Sequence, residues 1–532
     1  MMFSSLVAPS VVVEAIQNSR IAIGLGFCLL ALLCWRIWRF HIIPKLYPEE
    51  PPEFPYWIPV LGSAISFFKD SHGTLTHARL LFGDTRKPFA VNVAGQKLYV
   101  LTSPSDVSAA YKNTDALTFD VFVRDVMVSF GASQSAVDKM WLLPESSESN
   151  SPAQVPNPKG LSLAKLVHDM HKKQLHPGAE MDILSDRFIT LISKSLTWPN
   201  IAGSYVVESK PHKKLVSLKG WCSTVLLEAA TDAFFGDAFL KMAPNLLNDF
   251  FDFDDNSWML MYRYPRVLAR NMYQSKQNAI DYLTAYLDLS LEDRPGAAWF
   301  VTTMEEEQRA LGIQSRDIAT LLMMVYWVVN SNTYKLCFWI LSHLLHDPAL
   351  LSTLAEETSS AIAADGNVDM RCLLDDCPRI NAVYDEVLRL TNSSSSIRHV
   401  TADAVIGGCT LRRGNNVLIP YRQLHFNEAV FGPTAGSFDP ERFLKDKSLA
   451  RSPSYRPFGG GSTYCPGRFI ARQEVVAFVA VVLNRYDIKL ATGAGTKFPA
   501  LEELKPCLGV MGPVDGEDIM VQVGQKAANK VS

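Results

Sequence analysis

The run Phe458-Gly459-Gly460-Gly461-Ser462-Thr463-Tyr464-Cys465-Pro466-Gly467-Arg468 sets one cysteine among four glycines, just ahead of an apolar stretch of helical spacing, 469–483. Glycines without side chains keep the backbone thin and permit positive φ, so a flat metal-bearing group can come within bonding distance of the sulfur. Backbone N–H groups at the start of the following helix carry partial positive charge and can donate to a thiolate. The chemistry within reach is that of a cysteine thiolate on iron. A glycine turn followed by a helix with a buried structural cysteine is the alternative. A phosphate loop is excluded, because no Gly-Lys-Ser/Thr follows the glycines.

Several elements must position that sulfur. Residues 318–329 are almost wholly apolar, Asn330, Ser331, Asn332 and Thr333 interrupt, and apolar residues resume to Leu345 before Asp347-Pro348. The pattern predicts one helix over 318–345, roughly 42 Å long at 1.5 Å per residue. Its central polar cluster is too costly in lipid, so the reading is a core helix with polar groups beside a ligand. Glu386 and Arg389 stand at i and i+3, where they share a helix face and can pair. Short strands are expected near 89–101 and 404–420, helices over most of 215–390, and a surface loop at 146–159. His343 and His346 read as helix-end histidines and Cys372 and Cys377 as packing residues, since neither pair belongs to a complete metal-ligand set.

The cysteine segment resembles the haem-ligand pattern F-x-x-G-x-x-x-C-x-G of the cytochrome P450 family through Phe458, Gly461, Cys465 and Gly467. Glu386-Val-Leu-Arg389 is similar to the family's E-x-x-R motif, and Phe438-Asp-Pro-Glu-Arg442-Phe to its P-E-R-F-like motif. Three motifs in the family's order over about 80 residues carry the resemblance, which extends from about Pro55 to the end. It implies a mostly α fold with a small β region and a haem whose iron is ligated by Cys465, with Phe458, Gly461 and Gly467 shaping the loop. It also implies a buried charge network of Glu386, Arg389 and Arg442, and an Arg398 that meets a haem propionate. Where many members carry a basic residue two before the cysteine, this chain has Thr463, so another group must share the propionate role.

The central helix departs from the family too. Asn332 stands where the resemblance places an acid, and Thr333 where it places the alcohol that serves bound oxygen. An amide orders a water but does not titrate. Trp327-Val-Val-Asn-Ser-Asn-Thr with Phe338-Trp339, and the Gly-Ser-Thr-x-Cys-Pro-Gly-Arg run, resemble the steroid 7α- and 12α-hydroxylases and prostacyclin synthase. Pro420-Tyr-Arg-Gln-Leu-His-Phe-Asn resembles filamentous-fungal members. The resemblance implies a monooxygenase that inserts one oxygen atom from O2 into a hydrophobic small molecule, in fungal secondary-metabolite biosynthesis. Val329, Ile397 and the Val510-Met511 region are expected to line its pocket. Electrons are expected from NADPH through a separate cytochrome P450 reductase, since no flavin motif is present, with docking on positive groups near Arg468 and Arg472. A haem-thiolate isomerase or dehydratase acting on a peroxide is the alternative, and a non-catalytic haem sensor a further one.

Composition fits this reading. The 532 residues are 48% apolar and 20% charged with a net charge of −3, and a nucleic-acid binder would show a basic excess. Nine cysteines, sparse and odd in number, point to a reducing compartment. Residues 21–35 carry no charge, and Trp35, Arg36, Trp38 and Arg39 stand where a signal peptidase would need small residues. The expected organisation is a tail (1–20), a single transmembrane anchor (21–40), a proline-rich linker (41–60) and a catalytic domain (61–532). Arg36, Arg39 and Lys45 after the span, against Arg20 before it, put the body in the cytosol, with the endoplasmic reticulum as the expected membrane.

Overall fold

Apolar residues at a spacing of two give strands, and those at three and four give helices. The computed structural model describes residues 9–144, 155–363, 366–491 and 497–526. Most of the loop expected at 146–159 and the start of the expected tail lie outside the described residues. The strands are β1 (Phe89–Val93), β2 (Gln96–Val100), β3 (Leu117–Thr118), β4 (Val206–Lys210), β5 (Lys213–Ser217), β6 (Ser395–Val400), β7 (Ala404–Ile406), β8 (Cys409–Leu411), β9 (Asn416–Pro420), β10 (Tyr486–Leu490) and β11 (Met520–Gln525). The helices that matter to the site are α1 (Pro9–Ile37), α2 (Leu246–Asp254), α3 (Ser315–Asn330), α4 (Thr333–His346), α5 (Pro378–Thr391) and α6 (Arg468–Arg485). The chain divides into two compact units, Met1–Thr118 with His399–Leu418, and Phe119–Arg398 with Ile419–Ser532.

In the first unit, α1 runs through a π turn, Trp38–Ile42, into a last helical turn, Ile43–Leu46. The stretch Ala22–Leu46 is long and apolar enough to cross a membrane, and its most apolar window is unburied. The helix therefore runs past the expected end at residue 40. Pro44 does not stop it, because it sits in the first turn of the last segment, where a missing N–H is tolerated. The proline run folds back on this helix end. Arg36 Nη1 donates to Tyr56 O (2.5 Å), its guanidinium covers Trp57 (3.9 Å), and Arg39 pairs with Glu53 (2.5 Å). Strands β1 and β2 form an antiparallel hairpin with Phe89 opposite Val100, and β2 runs parallel to β9 with Leu98 opposite Asn416.

The second unit is a helical body around a large apolar core, in which Phe130, Trp221, Tyr326, Phe338, Trp339 and Val479 are buried. Its four-stranded sheet, in the order β10-β11-β5-β4, was not among the sequence expectations. The single central helix predicted over 318–345 is two helices, α3 and α4, broken at Ser331 and Asn332. Polar side chains there compete with the helical ladder. Asn330 Nδ2 donates to Tyr326 O (2.8 Å), and the Asn332 amide turns outward to Val510, whose N–H donates to Oδ1 (2.8 Å). Gly509 makes that approach possible, since a Cβ there would lie 2.0 Å from Asn332 Oδ1.

Candidate active site

The cysteine loop is closed by its own backbone. Cys465 N–H donates to Phe458 O (3.0 Å), across a 3-10 turn at Gly461–Thr463. Gly459 (φ +81°) and Gly461 (φ +64°) take the left-handed region that this tight return needs. The Cys465 sulfur accepts backbone hydrogen bonds from Gly467 and Arg468 at the start of α6. Burial pushes the free thiol up, while those two N–H groups and the Arg468 charge act against it. A soft sulfur ligand supported by N–H donors is a donor set that suits a haem iron.

Arg398 and Thr463, widely separated in sequence, meet here. Arg398 Nη2 donates to Thr463 Oγ1, and Nη1 donates to Ser396 Oγ (2.6 Å) and Ile397 O (2.8 Å). The guanidinium lies over the Phe119 ring at 4.9 Å and is buried. A basic group thus lies beside position 463, hydrogen-bonded to its hydroxyl.

The charge network stands behind the loop. Arg389 binds Glu386 through Nε (2.9 Å) and Nη2 (2.7 Å), with both side chains fully buried. Arg442 Nε lies 3.6 Å from Glu386 Oε1, and Asp439 N–H donates to the same oxygen (3.0 Å). Arg389 Nη1 also donates to His425 O (2.9 Å) and Ala435 O (2.6 Å), so helix α5 holds the chain that leads into the cysteine loop. Just past α5, Asn392 Nδ2 donates to Pro457 O (3.1 Å), one residue before Phe458. Ser393 N–H donates to Gly509 O (2.8 Å) and Met511 N–H to Thr391 O (2.9 Å). One helix therefore fixes both the cysteine loop and the segment around Val510.

That segment and the central break wall a cavity with about 130 Å3 of room for water, lined among others by Asp254, Trp327, Ser331, Asn332, Lys335 and Val510. Trp339 Nε1 donates to Met511 O (2.7 Å) and steadies the wall. Met511 lines the cavity as expected for the Val510-Met511 region, whereas Val329 and Ile397 are not among its lining residues. Asn332 reaches it and Thr333 does not. The Thr333 hydroxyl is instead hydrogen-bonded to Glu474 of α6. Glu474 is fully buried, and burial pushes its carboxyl up to about 8. Sequence reasoning treated 469–483 as plain core. The lone acid in that apolar run was the signal for this residue.

Asp254 was missed too. It ends α2 and accepts from Trp327 Nε1 (2.9 Å), Tyr334 Oη (3.1 Å) and Lys335 Nζ (2.7 Å). The cations expected to dock a reductase are largely committed within the fold. Arg472 pairs with Asp385 and donates to Asn381 Oδ1 (3.1 Å). Arg468 donates to Cys465 O (2.9 Å), faces His176 Nε2 at 3.2 Å, and lies over Tyr464 (4.5 Å) and Phe469 (4.1 Å). His343 is stacked on Phe438 at 3.9 Å, and burial lowers its pKa to about 3.

The family described as Cytochrome P450 matches residues 228–506. The chain is 28% identical to the cytochrome P450 monooxygenase poxD of Penicillium oxalicum over 87% of its own length and 92% of that protein's. It is 26% identical to the cytochrome P450 monooxygenase nodJ of Hypoxylon pulicicidum, covering 89% of this chain and 88% of the other. To mouse cytochrome P450 7B1 it is 24% identical, with 83% and 85% covered. Among solved structures, retinoic-acid-bound cyanobacterial CYP120A1 shares the fold, with a TM-score of 0.66 at 16% identity over 90% of this chain and 99% of that one. With a glycine-flanked cysteine loop at a helix start and a family match across more than half its length, the chain belongs to the cytochrome P450 family and is a haem-thiolate monooxygenase.

Proposed function

We propose that this protein inserts one atom of O2 into a hydrophobic small molecule, with electrons from NADPH through a separate flavin reductase. The observation that carries this reading is the glycine-flanked loop that presents Cys465, fixed through Asn392 to the end of α5, in a chain whose monooxygenase relatives align along most of its length. Haem, when bound, supplies the activation of O2. Cys465 would hold its iron, with Gly467 and Arg468 N–H groups supporting the sulfur, and Phe458 and Gly461 shape the turn around it. Arg398 with Thr463 holds a propionate. Asn332 orients substrate and water at the break, while Thr333, turned to Glu474, holds the break in place. The fungal monooxygenases that align along nearly the whole chain favour a role in secondary-metabolite biosynthesis. The apolar stretch Ala22–Leu46 anchors the enzyme in the endoplasmic reticulum membrane with its body in the cytosol.

The test is turnover of hydrophobic candidate substrates by the holoenzyme with reductase and NADPH under isotopically heavy O2. One heavy atom per product and full dependence on NADPH are expected. Rearrangement of a lipid hydroperoxide at a comparable rate without NADPH or reductase would favour the isomerase reading instead.

A further inference from the structure

Two carboxylates stand side by side on α5. Glu386 turns to Arg389 and Arg442, while Asp385, about 100° away around the helix, turns to α6 and to the chain ahead of the cysteine loop. Asp385 is buried, and its Oδ1 accepts from two side chains that flank Cys465 in sequence. Arg472 Nη2 donates to it from the second turn of α6. Tyr455 Oη, in the chain that leads to Phe458, donates to the same oxygen (3.0 Å) and to the Asp385 backbone O (3.1 Å). The rest of the Arg472 fork is placed as closely. Nη1 donates to Asn381 Oδ1 (3.1 Å), one turn earlier on α5, and the guanidinium lies over the Tyr384 ring at 4.4 Å. Asn381 is held in turn, its Nδ2 donating to Leu373 O (2.8 Å) and Cys377 O (2.8 Å). Tyr455 is buried against Phe443 and His425. Among the described residues, the Glu386 network reaches the meander but not the chain after Cys465.

We infer that Asp385 is a positioning residue for the iron's ligand: one carboxylate oxygen ties the chain ten residues before Cys465 to the helix seven residues after it, and so fixes where the loop presents its sulfur. A loop pinned at both ends to one atom has fewer conformations to lose when its cysteine must hold a single place. Burial gives the tie its strength, since water does not replace a hydrogen bond to a buried carboxylate. Groups that orient a metal ligand from behind in this way change metal affinity by about tenfold or more when removed. The same contacts give Arg472 a task inside the fold in place of docking a reductase. The placement rests on Cys465 as the ligand to the haem iron and is independent of the substrate.

The experiment takes the haem-loaded full chain and reads two quantities. One is the rate of haem release to excess apomyoglobin. The other is the share of the dithionite-reduced carbon monoxide complex that keeps the red-shifted thiolate-type band. Tyr455→Phe, which removes a single hydroxyl, and Arg472→Gln should each release haem about threefold to tenfold faster and lower the thiolate share. In Asp385→Ala combined with Arg472→Gln, which leaves no unpaired buried charge, adding Tyr455→Phe should change the release rate by less than about twofold, because the shared oxygen is already gone. If that double variant does not load haem, the two single variants decide. A general loss of stability would lower the Tm and leave the thiolate share of the loaded protein at the wild-type value, which would overturn the inference. So would wild-type haem release in Tyr455→Phe, or a full Tyr455→Phe effect in the double-variant background. Arg472→Gln that slows reduction by the reductase but releases haem at the wild-type rate would return Arg472 to docking and also overturn it. A wild type without haem would instead remove the Cys465 assignment itself.

Discussion

Glu474 shows what a single buried side chain contributes. Its carboxyl, hydrogen-bonded to Thr333 and pushed up to about 8, stays protonated in the fold where an unfolded glutamate would ionise near its ordinary value of 4.5. The folded state then holds the extra proton, so this group's contribution is fully present below about 4.5 and is lost as pH rises through about 8. Glu474→Gln keeps the hydrogen bond and removes the titration. Its Tm should match wild type near pH 4.5 and exceed it by several degrees near pH 8, followed by thermal melts across that range. A constant difference at every pH would contradict the assignment. The cysteine loop was legible in the sequence because glycine spacing around a thiol has few other uses. Glu474 was not, because an apolar helix reads as core whichever one of its residues is polar. Arg398 was singled out in the sequence as a candidate propionate partner, but its reach to Thr463 depends on the packing of a strand against a distant turn.

Helix α5 links the parts of the site. It carries Glu386 and Arg389 to the meander and ends against both the cysteine loop and the Val510 wall. Glu386→Ala leaves the fully buried Arg389 without its carboxylate, at a cost on the order of 3–5 kcal/mol. The expected result is a low haem-to-protein ratio in the purified variant, and normal haem content would refute the network's role. The motif was readable because i and i+3 on a helix fix the pair whatever surrounds it. The break between α3 and α4 was half readable. Its polar cluster was seen, but the interruption depends on Gly509 and Val510 arriving from the far end of the chain. The sheet of β10, β11, β5 and β4 was missed for a similar reason. Strand β4 leaves four of its five residues exposed and so shows no alternation, and the β4–β5 hairpin joins β11 and β10 from the far end of the chain.

For the molecule as a whole, the anchor and the haem-bearing body are separable claims. Removal of residues 1–46 should move the protein from the membrane pellet to the supernatant, with the haem spectrum intact. Retention in the pellet would mean that the body binds membrane by itself. Composition and motif order made the overall class legible, since few folds combine an apolar leader, a glycine-flanked cysteine and an upstream Glu-Arg helix. The active-site assignment depends on Cys465 as the ligand to the haem iron. The most direct measurement is the spectrum of dithionite-reduced protein under carbon monoxide, wild type beside Cys465→Ala. A red-shifted thiolate-type Soret band in the wild type alone is the predicted result. The same band in both proteins, or no haem in the wild type, would contradict it.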